Sequence, residues 1–190
     1  ESLSNPEGFF SRVDWDGGLE RPVLYYLVFS VLGSGLGTVW YTFLGPSLGS
    51  ALGDESVGAV SGMSPVLQFF LSPFTALIGL GVGAVAAHVG ARLLSSRPGS
   101  LRTTARTLCY AAGPQVLNAI PLVGGFFSLI WSSVLIVLGL RTAHGTSTLR
   151  AVGMLVVAFL LLSVAMFFVG VAIFVAGLGG VLPFPVPAAG

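Results

Sequence analysis

The chain has 190 residues and a formal net charge of +1, with 54% hydrophobic but only 8% charged residues. Soluble domains carry about 25% charged residues, so this composition excludes an ordinary water-soluble core. Several continuously apolar runs approach the ~20 residues that cross a ~30 Å hydrocarbon layer, whereas a membrane β-barrel would show short alternating segments. We therefore predict an all-α, multi-pass membrane protein with five transmembrane helices.

Residues 1–21 mix charged and aromatic side chains, which predicts a cytoplasmic or interfacial segment. It is either a short helix with its aromatic rings in the headgroups or an ordered linker with an aromatic anchor. The first span is predicted from Pro22 to about Leu44, and a Gly/Ser-rich loop follows as far as Gly62. The apolar residues 63–71 either form an interfacial helix or begin the second span.

The second span, from about Ser72 to Leu94, carries small side chains at every fourth position. Such a stripe lets two helix backbones approach closely. It predicts a helix-packing face, either within the chain or between two copies in a homo-oligomer. The stripe consists of Thr75, Gly79, Gly83, Ala87 and Ala91, with Gly79, Gly83 and Ala87 at its centre.

The third span is predicted from about Thr103 to Ile120 and contains the sequence YAAGPQVLNAIPLVGG. Pro114 lacks an N–H, and its ring clashes with the carbonyl of Tyr110 in a regular helix. We expect the helix to bend near Pro114 and to stop before Pro121. Polar and special residues recur at every fourth position and share one helix face; they are Arg102, Arg106, Tyr110, Pro114 and Asn118.

Tyr110, Gln115 and Asn118 form a candidate intramembrane polar site. Transporters build substrate and ion contacts beside broken helices. The alternative is that these side chains form hydrogen bonds between helices, which on average contribute about 0.6 kcal/mol each.

The fourth span is predicted from about Gly124 to Leu140 and the fifth from about Ala151 to Gly177, so residues 22–180 form the transmembrane domain. Residues 181–190 form a Pro-rich tail. With five spans, all eight basic residues fall on one side of the membrane, which the positive-inside rule makes cytoplasmic. We therefore expect the N-terminus inside and the C-terminus outside. The inner residues are Arg12, Arg21, Arg92, Arg97, Arg102, Arg106, Arg141 and Arg150.

The inner arginines have three interpretations. They set the topology, they hold anionic lipid headgroups, or some of them converge as an anion site made from Arg102, Arg106, Arg141 and His144. His88, His144 and Cys109 do not match a metal-binding motif, so we predict no metal, cofactor or catalytic residue. No basic patch with interleaved aromatics suggests a nucleic-acid partner.

The order of these features resembles the Yip domain family of Ypt-interacting, or YIPF, membrane proteins. The resemblance lies in the basic second loop, YAAGPQVLNAIPLVGG, a Trp-bearing fourth span and GLRTAHGTSTLRA, and it is greatest over residues 65–165. It implies a multi-pass, non-enzymatic protein. Eukaryotic members of the family bind Rab-type GTPases and help to organise vesicle traffic in Golgi and ER membranes.

The chain resembles the prokaryotic branch, because the long N-terminal region of eukaryotic members is missing. Its composition is rich in Gly, Ala, Val and Arg and lacks Lys, which suggests a prokaryotic cytoplasmic membrane without Rab-driven traffic. The leading hypothesis is a membrane scaffold that acts through helix packing and a basic inner face, with an unidentified protein partner. The alternative is a small transporter or channel with its site at the kinked third helix.

Overall fold

The computed structural model describes residues 5–52, 64–96 and 98–181, and every regular element in these residues is helical. Of the predicted tail, only Val181 lies within the described residues. The six α-helices and one 3-10 helix are α1 (Pro6–Phe10), α2 (Glu20–Leu52), α3 (Pro65–Leu94), α4 (Leu101–Tyr110), the 3-10 helix (Gly113–Ala119), α5 (Gly124–Ala143) and α6 (Thr148–Val181).

Four of these helices, α2, α3, α5 and α6, are long and apolar enough to cross a membrane. The prediction of five transmembrane helices is therefore confirmed only in part. In the third segment the α-helix ends at Tyr110 after ten residues, and the chain continues through a turn into the seven-residue 3-10 helix. The interruption expected near Pro114 is present as an end of the α-helix at Tyr110 and not as a bend, so the proline ring does not meet the Tyr110 carbonyl of a continuous helix.

Two predicted boundaries also change. The loop predicted from Gly45 was wrong over its first residues, since α2 continues to Leu52 with Pro46 inside it. Residues 65–71 belong to α3, which answers the question that the sequence left open. This helix tolerates Pro73 because the Ser72 hydroxyl donates a 2.7 Å hydrogen bond to the Phe69 carbonyl, the group that Pro73 deprives of its usual donor.

The helix α3 packs antiparallel to α2. Near the start of α2, the Tyr26 hydroxyl donates to the Ala76 carbonyl of α3 at 3.1 Å, whereas the later Gly35 lies beside the earlier Phe69. The helix α3 packs most extensively against α6. The arginine end of the bundle is the end at which α2, α4 and α6 begin and α3 and α5 terminate.

The short helix α1 packs against the arginine end. Phe10 is fully buried in a cluster with Ala111 and Leu135, and its ring stacks 6.2 Å from that of Trp15. A Cβ at Gly139 of α5 would lie 3.0 Å from the Phe10 ring, so the glycine leaves space for this side chain. Residues 1–21 therefore include a short helix, but Phe10 packs inside the protein and not among headgroups.

Candidate functional site

The third segment lies alongside α2 in the same direction. The rings of Tyr110 and Tyr25 are 5.6 Å apart. Further along both segments, the indole Nε1 of Trp40 donates to the Ala119 carbonyl at 3.2 Å. From Tyr25 to Trp40 is fifteen residues of helix, or about 22 Å. The turn and the 3-10 helix together therefore run alongside about 22 Å of α2.

The polar residues of this segment face α2 at Gly33. The side-chain amide of Asn118 donates to the Gly33 carbonyl at 3.4 Å. A Cβ at Gly33 would lie 2.9 Å from the Cβ of Gln115 and 3.1 Å from Nδ2 of Asn118. Gln115 and Asn118 are half-buried, and Pro114 is buried at the start of the 3-10 helix. The segment thus fits closely against α2 because Gly33 has no side chain.

A tight turn at Pro121 carries the chain from the 3-10 helix into α5. Leu122 adopts a left-handed conformation with φ +66°, which costs a non-glycine residue about 1–2 kcal/mol. At the start of α5, an added Cβ at Gly124 would overlap the Leu117 carbonyl. The turn therefore places the backbone of α5 in direct contact with the backbone of the 3-10 helix.

Three residues of the small-residue stripe of α3 lie in different environments. Ala87 belongs to a buried cluster with Ala158 of α6, and a Cβ at Gly83 would lie 3.6 Å from Leu108 of α4. Gly79 is exposed, with no atom within 4 Å of an added Cβ. The helix α3 approaches α6 closely at Gly90, where a Cβ would lie 2.7 Å from the Met154 carbonyl oxygen.

At the arginine end, two imidazoles meet on one threonine. Nδ1 of His88 lies 3.2 Å from the Thr104 hydroxyl, and Nε2 of His144 lies 3.1 Å from the same oxygen. The backbone N–H of Gly99 donates to Nδ1 of His144 at 2.9 Å. Arg92 donates through Nε to Nε2 of His88 at 3.3 Å. The network joins α3, α4 and the end of α5.

These donors fix the protons of both neutral rings. Because Nε2 of His88 and Nδ1 of His144 each accept a hydrogen bond, the protons are on Nδ1 of His88 and Nε2 of His144. Both N–H groups then donate to Thr104, whose hydroxyl donates to the Ser100 carbonyl at 3.4 Å. A second proton would have to bind Nε2 of His88 or Nδ1 of His144, which already accept hydrogen bonds from N–H donors. The network therefore favours two neutral histidines.

Local sequence places these side chains. Ser100 caps α4 by accepting a hydrogen bond from the Thr103 N–H, which fixes Thr104 in the first turn. Gly145, with φ +56°, follows His144 at the end of α5. The Thr146 N–H donates to the Arg141 carbonyl at 3.0 Å, the bond that defines a Schellman motif.

Burial lowers the pKa of His144, and the neighbouring His88 lowers it further. As pH falls below the ordinary value of 6.5, the unfolded chain binds the proton before the folded protein does, so stability declines. We expect the unfolding midpoint in detergent to be highest above pH 7 and to fall as pH drops below 6.5. His144→Gln should be less stable at pH 8 and show a shallower decline. An equally steep decline in that variant would contradict this assignment.

The four residues predicted to form an inner-face anion site have different surroundings in the structure. Arg106 is 3% exposed and donates to the Gly18 carbonyl. Arg141 forms a 3.3 Å ion pair with Glu7 of α1, whereas Arg102 is exposed and His144 belongs to the threonine network. These four residues are not brought together around one point.

The described residues contain no group of three or more His, Cys, Asp or Glu side chains that could hold a metal ion. Sequence analysis missed Thr104, which joins the two histidines, because a threonine next to another threonine carries no distinctive signal. Gly90 was also missed, since close backbone approach depends on which helices are neighbours.

The family model for the Yip1 domain matches residues 1–171. Comparisons with curated proteins and with solved structures find no match. The Yip1 match covers most of the chain, and the four long apolar helices agree with a multi-pass membrane protein. The chain therefore belongs to the Yip1 domain family.

Proposed function

We propose that the protein is a non-enzymatic membrane organiser that acts through helix packing. The observation that supports this most directly is that the polar third segment forms hydrogen bonds with α2. Asn118 and Trp40 both form hydrogen bonds to backbone carbonyls of the neighbouring segment. Such hydrogen bonds between segments stabilise a packed bundle. The Yip1 domain family is a membrane protein family that is not known as enzymatic.

The surface that would meet a second copy is the open part of the α3 stripe. Gly79 is exposed, and a side chain there would meet nothing within 4 Å, so it packs against no other part of the chain that the structure describes. A small residue on an exposed membrane helix permits close approach of another helix. The same helix contacts α6 through the other end of the stripe. One helix would therefore stabilise the fold and also form the interface between two copies.

Gly79→Ile should abolish most self-association while leaving the fold intact, because the new side chain has free space in the monomer but blocks a second helix. Energy transfer between donor-labelled and acceptor-labelled copies in vesicles measures this. The control is Gly37→Ile on α2, which also has nothing within 4 Å of an added Cβ but lies outside the small-residue stripe of α3, so it should leave transfer unchanged. Equal transfer in both variants would refute the interface. A solute flux that disappears in Asn118→Ala would favour a transporter instead.

We also propose five membrane crossings, with the N-terminus in the cytoplasm. The third segment is supported as a crossing by its parallel course along α2. From Tyr110 to Ala119 the segment runs alongside about 22 Å of α2, which is most of the ~30 Å hydrocarbon layer. The arginines of the helix ends would then lie in the cytoplasm, as the positive-inside rule requires.

A reporter fused after the last residue tests this orientation. With five crossings, a periplasmically active alkaline phosphatase at the C-terminus should be active, and a fluorescent protein that folds only in the cytoplasm should be dark. The same reporters placed after Gly145 should give the opposite result, because that turn lies at the arginine end. A cytoplasmic C-terminus would mean four crossings and would reduce the third segment to a re-entrant one.

The proposed location is the cytoplasmic membrane of a prokaryote. There the exposed Arg92, Arg102 and Arg150 would attract anionic lipid headgroups, at about 1 kcal/mol per charge near the surface. This attraction needs no defined pocket and would act together with helix packing to concentrate the protein in particular membrane regions.

A further inference from the structure

A polar cavity of about 350 Å³ opens at the arginine end, where α2 begins. This volume lies within the range of small-ligand pockets. Its polar lining has charges of both signs. The lining residues are Asp14, Gly17, Gly18, Glu20, Arg21, Pro22, Arg106 and Tyr110.

The positive part of the cavity is suited to a phosphate. The Arg106 side chain is 97% buried, and its guanidinium donates through Nη2 to the Gly18 carbonyl. Its buried Nε has no hydrogen-bond partner. Arg21 adds a second guanidinium, and the cavity adjoins the N-terminus of α2, where the helix dipole is positive. A buried guanidinium nitrogen without a hydrogen-bond partner is costly to retain.

The negative part of the cavity is suited to an ammonium group. Oδ1 of Asp14 accepts a hydrogen bond from the Asp16 N–H at 3.1 Å. Oδ2 of Asp14 and Nη2 of Arg106 lie within 2.6 and 2.8 Å of the same point, the place that a Cβ of Gly17 would occupy. Opposite charges therefore border one small space, which the missing side chain of Gly17 keeps open.

We propose that this cavity binds a phosphoethanolamine group, in which a phosphate diester is linked to a primary ammonium. Arg21 and Arg106 would hold the phosphate, and Asp14 would accept hydrogen bonds from the ammonium. An anionic headgroup would meet two carboxylates without supplying a cation for them. A choline group has no N–H to donate, so it would lose the hydrogen bond to Asp14.

The source of this group is a membrane lipid. Glu20 lines the cavity, and Leu24 and Val28 follow it at four-residue intervals on the same face of α2. Leu24 is 63% exposed and Val28 is 48% exposed, so this face offers an apolar path for acyl chains next to the headgroup. The site goes beyond the proposed organising role, since it requires neither self-association nor the Gly79 surface.

Native mass spectrometry of the delipidated full chain, with equimolar phosphatidylethanolamine and phosphatidylglycerol, tests the proposal. The wild type should retain phosphatidylethanolamine about tenfold better, the effect of one charge-assisted hydrogen bond. Asp14→Asn should abolish this preference, because it keeps the oxygen that bonds Asp16 but removes the charge. The matched control Asp16→Asn lies outside the cavity lining and should retain the preference. Arg21→Gln, an exposed position, should weaken the binding of both lipids.

Equal or stronger retention of phosphatidylglycerol by the wild type would overturn the proposal. The same holds if Asp14→Asn and Asp16→Asn behave alike. Soluble glycerophosphoethanolamine forms the other arm of the experiment. If it competes as effectively as the lipid at equal concentration, the assignment to a membrane lipid fails. Weak competition supports the apolar path along α2. Since Gly79→Ile leaves the cavity intact, it should not change lipid retention, which separates this site from the self-association surface.

Discussion

Phe10→Ala should lower the free energy of unfolding by about 3–5 kcal/mol, the range for emptying a buried phenylalanine site. Phe10 is fully buried, and its neighbours Ala111 and Leu135 lie on separate segments. They have no simple way to close the gap. The ring also joins α1 to the bundle, so its loss should release the ion pair between Glu7 and Arg141.

Denaturation of the protein in mixed micelles with increasing SDS, followed by tryptophan fluorescence, measures this change. Trp15 stacks on Phe10 and gives a local signal. Phe43→Ala is the matched control, because Phe43 is 73% exposed on α2 and its truncation leaves no cavity. A Phe10→Ala protein as stable as the control would show that α1 is not an integral part of the fold.

Gly124→Ala should destabilise the protein by about 1–3 kcal/mol, the usual cost of overpacking. Its Cβ would lie 2.9 Å from the Leu117 carbonyl carbon and 3.1 Å from the Asn118 Cα. Both are backbone atoms of the 3-10 helix, which cannot rotate away as a side chain can. The substitution should therefore push α5 from the third segment.

The neighbouring Gly125→Ala is a stringent control, because helix propensity alone makes the same prediction for both positions. Alanine is favoured over glycine in a helix by about 1 kcal/mol. A Cβ at Gly125 would meet only the Asn118 side chain, at 3.9 Å, so this variant should be neutral or slightly more stable. Opposite signs for the two variants, in the same SDS titration, support the close packing. A stabilised Gly124→Ala would exclude it.

Much of the architecture followed from composition and from apolar run length. The four long helices lie where those runs predict them, because a backbone in hydrocarbon must satisfy its own hydrogen bonds and an apolar run therefore stays helical. The same principle explains why α2 is longer than predicted and why residues 65–71 belong to α3. The helix α2 passes through Gly45 and Pro46, and α3 passes through Pro73. Glycine and proline interrupt helices in water more readily than in a membrane.

The third segment was only partly predictable. The position of Pro114 correctly indicated a break, but the sequence did not reveal that a 3-10 helix would follow. Nor could it assign the partners of the polar face. That Asn118 meets Gly33, and that Arg106 meets Gly18, depends on residues more than eighty positions away in the chain.

The sequence by itself determined a multi-pass helical membrane protein, the break at Pro114 and the family, because these depend on local composition and on spacing along one segment. Only the tertiary structure decided which glycines bear close contacts, how Thr104 joins two histidines and where Asp14 approaches Arg106. Each of these depends on which segments become neighbours. In a chain so uniformly apolar, many helix pairings would bury similar surfaces, and the actual one is selected by a few small residues and polar contacts whose partners are far apart in sequence.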